Sequence, residues 1–304
     1  MSHNSSSLWK WAVAALAPFV LILPATAAER QEKIFKVTGI PSVSVRNISG
    51  AIEVRTWNQQ EVRVEAILSD NSVQTEMTQA GDTIRVVTRT PSREYRFWGR
   101  SGSVDYFITM PVEGNLEVNA VSGEITVAGV RGDLNVESVS GDLEIENVGK
   151  RLWAKSVSGD VSVSQGQVDV EAKTVSGDVT LSDITGRLSA GSVSGNVRLL
   201  RTRSARVVLE TTSGDVEMDT ELEKGGNYRI NSHSGYIGIR LPRNSSFEIS
   251  AQTFSGQLDS DLPLTLTTPE SGRRHGRTLR GKYGNGEAII DVETFSGDVR
   301  LIGK

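Results

Sequence analysis

The residues of this sequence that could do chemistry recur at a fixed spacing, and the most regular of them is a serine. A serine nucleophile needs a base within reach, yet beyond residue 27 the only histidines are His233 and His275. Because nothing marks out one serine from the rest, we interpret these hydroxyls as structural groups that bond from repeat to repeat. The serines are Ser122, Ser140, Ser158, Ser176, Ser194, Ser213, Ser234, Ser255 and Ser296.

An acidic residue stands two positions after most of these serines. The carboxylates are Asp142, Asp160, Asp178, Asp215 and Asp298. Stacked carboxylates would repel one another, and a bound Ca²⁺ would relieve the repulsion. Glu124, Asn196 and Tyr236 hold the same place in other repeats, which favours a solvated turn position over a metal site. We therefore expect no metal and no cofactor.

Two segments interrupt the repeat with basic residues, and we predict that they are binding loops, at 92–103 and 271–283. Arginine and aromatic residues are enriched at interfaces, and basic clusters attract anionic groups. Solvated loops without a ligand are the alternative. The candidate binding residues are Arg93, Tyr95, Arg96, Phe97, Trp98, Arg100, Arg273, Arg274, His275, Arg277, Arg280 and Lys282.

The elements that position these residues belong to a short repeat of constant length. The phrase valine-serine-glycine, followed by an acid in most copies, begins at Val121 and returns at equal intervals through Val193, and the next interval is longer by one position. Counted from that valine, apolar residues stand at offsets 0, 4, 6, 9, 13 and 15. Within a repeat, Leu143 and Ile145 alternate with polar neighbours, which is the period of a half-buried strand.

Strands of this kind cannot bury their apolar faces alone, so we expect successive copies to stack. Stacking at about 4.8 Å gives columns of equivalent side chains through a continuous core. This predicts an all-β, parallel β-helix-like solenoid with two short strands per coil and a glycine at the bend. An antiparallel meander is the alternative. The predicted inward set includes offset zero, so Val139 and His233, which share it, should pack inside.

Residues 1–27 are predicted to be a secretory signal peptide. Lys10 precedes an apolar run, Trp11–Leu23, which is too short to span a bilayer comfortably. The small residues Ala25 and Ala27 predict cleavage before Ala28 or Glu29, and an uncleaved anchor is the alternative. The chain has no cysteine, so a lipoprotein anchor and disulfides are excluded, and stability has to come from the stacked core.

The remaining chain is predicted to be one β-solenoid domain, 31–304. It divides into an irregular start at 31–112, a regular array at 113–218 and looser coils with a basic insertion at 219–304. In the irregular start, Ala80-Gly81-Asp82 predicts a hairpin turn. In the looser part, the last copy of the phrase begins at Phe295, more than two repeat lengths after the copy at Phe254.

Three features together resemble a bacterial β-strand-repeat family labelled "putative adhesin", a domain of unknown function. They are the iterated phrases, the strand Ile108-Thr109-Met110-Pro111 that leads into them, and the closing segment Thr294 to Val299. The resemblance covers nearly all of the chain after residue 27. It implies an exported, right-handed solenoid without an assigned active site. The basic insertion at 271–282 departs from the pattern.

We therefore predict an exported, non-enzymatic cell-envelope binding or adhesin-like module, either periplasmic or extracellular. Its partner would be an anionic envelope polymer, lipid headgroups or another envelope protein, and nucleic acid is not expected. One alternative is a polysaccharide-active enzyme on a solenoid, which would need paired catalytic groups in a groove. Another is a scaffold that self-associates through exposed end strands.

Overall fold

The computed structural model describes residues 29–70, 72–89, 102–267 and 276–304. Within these ranges the chain is all-β and has no helix, and therefore none long and apolar enough to cross a membrane. Three predicted features lie outside the described residues: the signal peptide 1–27, residues 92–101 of the first binding loop, and residues 271–275 of the second.

Strands account for most of the described chain. In chain order they are β1 (Glu29–Lys36), β2 (Ser42–Ser49), β3 (Ile52–Trp57), β4 (Glu61–Leu68), β5 (Gln74–Ala80), β6 (Thr83–Arg89), β7 (Val104–Pro111), β8 (Asn115–Ser122), β9 (Ile125–Ala128), β10 (Asp133–Ser140), β11 (Leu143–Lys155), β12 (Val161–Ser176), β13 (Val179–Thr185), β14 (Leu188–Ser194), β15 (Val197–Ser213), β16 (Val216–Ser234), β17 (Ile237–Leu241), β18 (Phe247–Ser255), β19 (Leu258–Ser260), β20 (Thr265–Leu266), β21 (Arg277–Tyr283), β22 (Ala288–Ser296) and β23 (Val299–Gly303).

The regular array is a stack of parallel coils in register. Leu143 pairs with Val161 and Val161 with Val179, so successive coils are offset by one sequence repeat. The Ser-Gly corners also line up, since Ser158 bridges to both Ser140 and Ser176. The predicted parallel, β-solenoid-like stacking is confirmed in this region, and the antiparallel meander is excluded there.

Each coil contributes to two ladders of paired strands. The corner ladder contains segments that end at the Ser-Gly corner, such as β10 and β14, and the far ladder contains segments that follow it, such as β13. Some coils have two separate strands, whereas β12 runs through both ladders as one strand. Side chains from both ladders form a single hydrophobic core.

Five of the six predicted inward positions are buried, and offset zero is not. In the coil that begins at Val139, the residues at offsets 4 to 15 are at most 2% exposed, whereas Val139 itself is 50% exposed. The buried neighbour is the preceding residue, Ser138. The cause is that the alternation set by offsets 13 and 15 continues to 17, so the next residue faces outward.

The amino-terminal end of the stack is closed by antiparallel strands. The first coil consists of β2 and β3, on which β8 and β9 stack in parallel. On the other side of that coil, β6 lies along β2 and β7 along β3, and β7, β4 and β1 then pair antiparallel. The predicted hairpin is confirmed, since β5 and β6 pair antiparallel from Ala80 and Thr83.

At the carboxy-terminal end, the stacking order departs from the chain order. The last segments, β22 and β23, lie between β16–β17 and β18–β19. The segment Arg277–Tyr283, predicted to be a loop, is instead β21, which pairs antiparallel with β18. It covers an edge that β18 would otherwise leave unpaired. The boundaries 31–304 of a single domain stay a prediction.

Candidate interaction surface

The outward residues at offset zero form one continuous row along the corner ladder, which we call the apolar row. The registers of the flanking residues place these positions side by side on successive strands. Most of its members are apolar although they are exposed by 40–54%. Nine strand spacings give the row a length of about 43 Å. In spatial order it contains Ile48, Val121, Val139, Val157, Val175, Val193, Thr212, His233, Phe295 and Phe254.

Three stacked rings end the apolar row. The Phe295 ring lies 5.1 Å from His233 and 5.0 Å from Phe254, with interplanar angles of 6° and 4°. Their order in space follows from the insertion of β22 between β16 and β18. The prediction that His233 packs in the core is wrong, because offset zero faces outward throughout the stack.

Buried hydroxyls hold the corners beneath the apolar row. Thr174 Oγ1 donates to the Gly159 carbonyl at 3.0 Å, and Ser192 Oγ donates to the Gly177 carbonyl at 2.8 Å. These hydroxyls stand one position before the valine of the phrase. The predicted hydrogen bonds between coils are therefore made by these buried hydroxyls, and not by the serines that follow the valine. Ser156, Thr211 and Thr253 make the same bond, whereas Ser138, Ser232 and Thr294 are buried at the equivalent position without a hydrogen-bond partner among the described residues, so the hydroxyls link some of the coils and not all of them.

The glycine of each corner is required by the close approach of a neighbouring carbonyl and, at most corners, also by its backbone angle. Gly177 has φ of +156°, and a Cβ there would lie 2.2 Å from the Gly159 carbonyl oxygen. Only a residue without a side chain allows the coils to approach this closely. The corner is therefore a fixed, repeated backbone unit.

The acidic positions form a hydrogen-bonded column beside the corner. The backbone N–H of Asp160 donates to Asp142 Oδ1 at 2.9 Å, and that of Asp178 donates to Asp160 Oδ1 at 2.8 Å. Asn196 does the same with its amide oxygen, which accepts the Asp215 N–H at 2.9 Å. No group of three or more His, Cys, Asp or Glu in the described ranges could hold a metal ion.

Asp178 shows how this column tolerates stacked carboxylates. Partial burial acts to raise its pKa, but hydrogen bonds from the Asn196 backbone N–H and from the Arg198 side chain outweigh that effect. The pKa of Asp178 consequently lies below its ordinary value. At Asp178, backbone and side-chain donors thus stabilise the charge of the carboxylate.

Of the twelve predicted binding residues, three lie in the described chain. Arg277, Arg280 and Lys282 are exposed on β21, and Arg277 pairs with Thr253, next to Phe254. Two of these side chains, those of Arg277 and Arg280, form no ion pair with the described residues. The structure therefore brings part of the predicted basic cluster to the aromatic end of the apolar row.

The sequence reasoning missed the apolar row itself and two shallow grooves on the same face. One groove, of about 440 Å³, borders the row at Val193 and His233 and opens where Gly191 has no side chain. The other, of about 550 Å³, lies further from the corner, around Trp153 and Ser189. The apolar row could have been found from the sequence by continuing the alternation of offsets 13 and 15 to offset 17, which places the next residue on the outer face.

The fold and this surface define an all-β, β-solenoid-like protein with a repeated Ser-Gly corner. The chain belongs to the Toastrack DUF4097 family, whose model matches residues 40–224 and 221–301. The predicted resemblance to a domain of unknown function is thereby confirmed. No curated protein matches the chain.

Three solved structures resemble the chain at low identity. A "putative cell adhesion protein" from Clostridium sporogenes is 10% identical over 91% of this chain and 100% of its own, with a TM-score of 0.24. A "putative lipid binding protein" from Parabacteroides distasonis is 11% identical over 90% and 96%, with a TM-score of 0.39. A "putative adhesin" from Parabacteroides merdae is 9% identical over 90% and 96%, with a TM-score of 0.34.

Proposed function

We propose that this protein is an exported, non-enzymatic binding module of the cell envelope that docks another envelope protein along the apolar row. The single observation that carries this proposal is the row itself, which is exposed over about 43 Å of a paired ladder. Contiguous exposed apolar side chains mark interaction surfaces in soluble proteins. The adhesin-like role of the module and the right-handed winding of its coils are parts of the same proposal.

The chemistry of the row favours a protein partner. Valine and phenylalanine offer no hydrogen bonds, and the adjacent serines are small and neutral, so a partner would be held mainly by apolar contact. Interfaces between proteins have this composition, with apolar and aromatic residues at the centre and few charges. The basic residues of β21, at one end of the row, would lie at the rim, where charge directs association.

The docking experiment compares the two ladders of the same coils. The double variant Val157→Asp with Val175→Asp places two charges in the row, and the control Ser162→Asp with Thr180→Asp places two charges on the outward face of the far ladder. Co-sedimentation with isolated bacterial envelopes should fall at least about tenfold for the first variant and stay unchanged for the control. Equal thermal melting of both variants would show that folding is intact.

The partner class is tested with the same protein. Treatment of the envelopes with protease should abolish co-sedimentation, and protein-free lipid vesicles should bind little. A photo-crosslinking residue at position 175 should then label an envelope protein. A crosslink to a second copy of this chain would instead show that the row mediates self-association. Wild-type binding by the double-aspartate variant would refute the role of the row.

Export is tested separately from docking. We propose that residues 1–27 are removed, so the amino terminus of the protein isolated from cells should be Ala28 or Glu29. Mass spectrometry of the intact protein measures this directly. Recovery of chains that retain residues 1–27 would contradict export by cleavage and leave the docking result untouched.

A further inference from the structure

We infer that the groove around Trp153 and Ser189, on the outward face of the corner ladder, is a binding site for an acidic oligosaccharide. This groove, called the Trp153 groove below, has a volume of about 550 Å³. It is separate from the apolar row, and the inference relies on the proposed export only because such polymers are met outside the cell.

Two rows of side chains form the Trp153 groove. In the row nearer the corner, Trp153 pairs in register with Glu171, Glu171 with Ser189, and Ser189 with Val208. The second row lies further from the corner and consists of four charged residues. They are Arg151, Asp169, Arg187 and Arg206. Ser189 is the short residue between longer neighbours, so the depression opens there.

One ion pair organises the charged row. Arg187 donates from Nε and from a terminal nitrogen to Asp169 Oδ2, at 3.0 and 2.6 Å, and its backbone N–H donates to Asp169 Oδ1 at 2.9 Å. Hydrogen bonding from Arg187 lowers the pKa of Asp169 below its ordinary value. A planar, charged pair is thus held in place before any ligand binds, as in sites that recognise ligands by fixed geometry.

Within the described chain, the arginines on either side of this pair are not held in ion pairs of their own, although the charge of Arg151 also helps to lower the pKa of Asp169. Neither Arg151 nor Arg206 forms an ion pair with a described residue, and the second carboxylate of the groove, Glu171, pairs with Lys173 at 2.8 Å. Arg151 and Arg206 are three strands apart, about 14 Å along the ladder. The groove consequently presents two available guanidinium groups at its ends and has a net positive charge.

The shape of the groove selects the kind of anion. The backbone in the middle of a ladder is already paired, so a peptide could not add as an extra strand, which requires a free sheet edge. A ligand has to be recognised by side chains alone. A sugar ring suits these side chains, because its C–H face packs on an aromatic ring and its hydroxyls bond to planar carboxylate and guanidinium groups. Carboxylates on the sugar would pair with Arg151 and Arg206.

The test measures binding of the purified protein to trigalacturonate, with its methyl ester as the neutral probe of the same shape. Calorimetry should show binding of the acid that weakens with added salt. Arg151→Gln with Arg206→Gln should reduce affinity for the acid at least about tenfold and remove most of the salt dependence. The control Arg46→Gln, an exposed arginine on the first coil, should bind like the wild type.

Trp153→Phe and Trp153→Ala test the aromatic surface. The Phe variant keeps an aromatic ring and therefore gives a readout even if the Ala variant fails to fold. Affinity should fall in the order Trp, Phe, Ala. Equal binding of acid and ester, or wild-type binding by the double glutamine variant, would overturn the inference. So would equal or tighter binding of polyglutamate or of anionic lipid vesicles. The Val157→Asp, Val175→Asp variant should bind trigalacturonate normally, which separates this result from the docking proposal.

Discussion

The body of each coil and its Ser-Gly corner distribute polar and apolar side chains in opposite ways. In the body, Leu143 and Ile145 are buried and Glu144 between them is exposed. At the corner, Ser156 is buried and Val157 is 40% exposed. The same backbone alternation thus carries an apolar interior in one region and a polar interior in the other.

The buried polar residues at the corner have a local cause. In several coils the corner turns the glycine carbonyl towards the next coil, where a buried hydroxyl such as that of Thr174 or Ser192 donates to it. A buried carbonyl without a donor would cost about 1–3 kcal/mol, so a hydroxyl is favoured inside. On the outer side valine suits a pleated strand but satisfies no buried polar group, and the proposed partner would cover it.

The sharpest test of the comparison places one charge on each side of it. Leu143→Asp should destabilise the protein by about 4 kcal/mol or more, because the carboxylate would be buried between Ile125 and Val161 without a partner. Val139→Asp should change the free energy of unfolding by less than about 0.5 kcal/mol, since the residue is half exposed. Urea unfolding followed by circular dichroism measures both. Similar losses in the two variants would mean that the inward and outward assignment is incorrect.

A second test adds a methyl group to the corner. In Gly159→Ala the Cβ would lie 2.2 Å from the Gly141 carbonyl oxygen, at φ of +159°, so overpacking and backbone strain should together cost about 3–4 kcal/mol. Gly225→Ala is the control, because Gly225 also has positive φ, +74°, but nothing within 4 Å of the added carbon. It should cost only about 1–2 kcal/mol. Equal losses would show that close stacking of the corners is unimportant.

A third test exchanges the polarity of adjacent residues. Thr174→Val keeps the shape but removes the donor to the Gly159 carbonyl, so the protein should lose about 1–2 kcal/mol of stability. Val175→Thr should cost less than about 0.5 kcal/mol, because position 175 is exposed. Thermal or urea unfolding of the two single variants gives the comparison. A larger loss in Val175→Thr would indicate that the row stabilises the fold itself.

The repeat made the array predictable because every coil has the same surroundings. Strict spacing between phrases implied parallel stacking, and alternation identified Leu143, Ile145 and their equivalents as core residues. The error at offset zero came from ranking Val139 by hydrophobicity alone. Continuing the alternation from Leu152 and Ala154 would have placed the serine at 156 inside and the valine at 157 outside.

The ends and the grooves could not be read in the same way. Insertion of β22 between β16 and β18 depends on which edges remain unpaired after the array has formed, and no local pattern in the sequence records that. The Trp153 groove combines residues from successive coils. Trp153 and Arg206 are far apart in the chain, and only the strand registers of the ladder bring them to the same groove. The predicted loop residues 93–100 fall outside the described chain, and their role stays a prediction.

The smallest expected effect concerns the acidic column beside the corner. Asp142→Asn should be nearly neutral, because Asn196 shows that an amide oxygen accepts the backbone N–H of the next coil as a carboxylate does. Asp142→Ala removes that acceptor at an exposed site and should cost about 0.5–1 kcal/mol. The difference between the two free energies of unfolding isolates the hydrogen bond from the charge. If Asn were as damaging as Ala, the position would require the carboxylate charge and not only a hydrogen-bond acceptor.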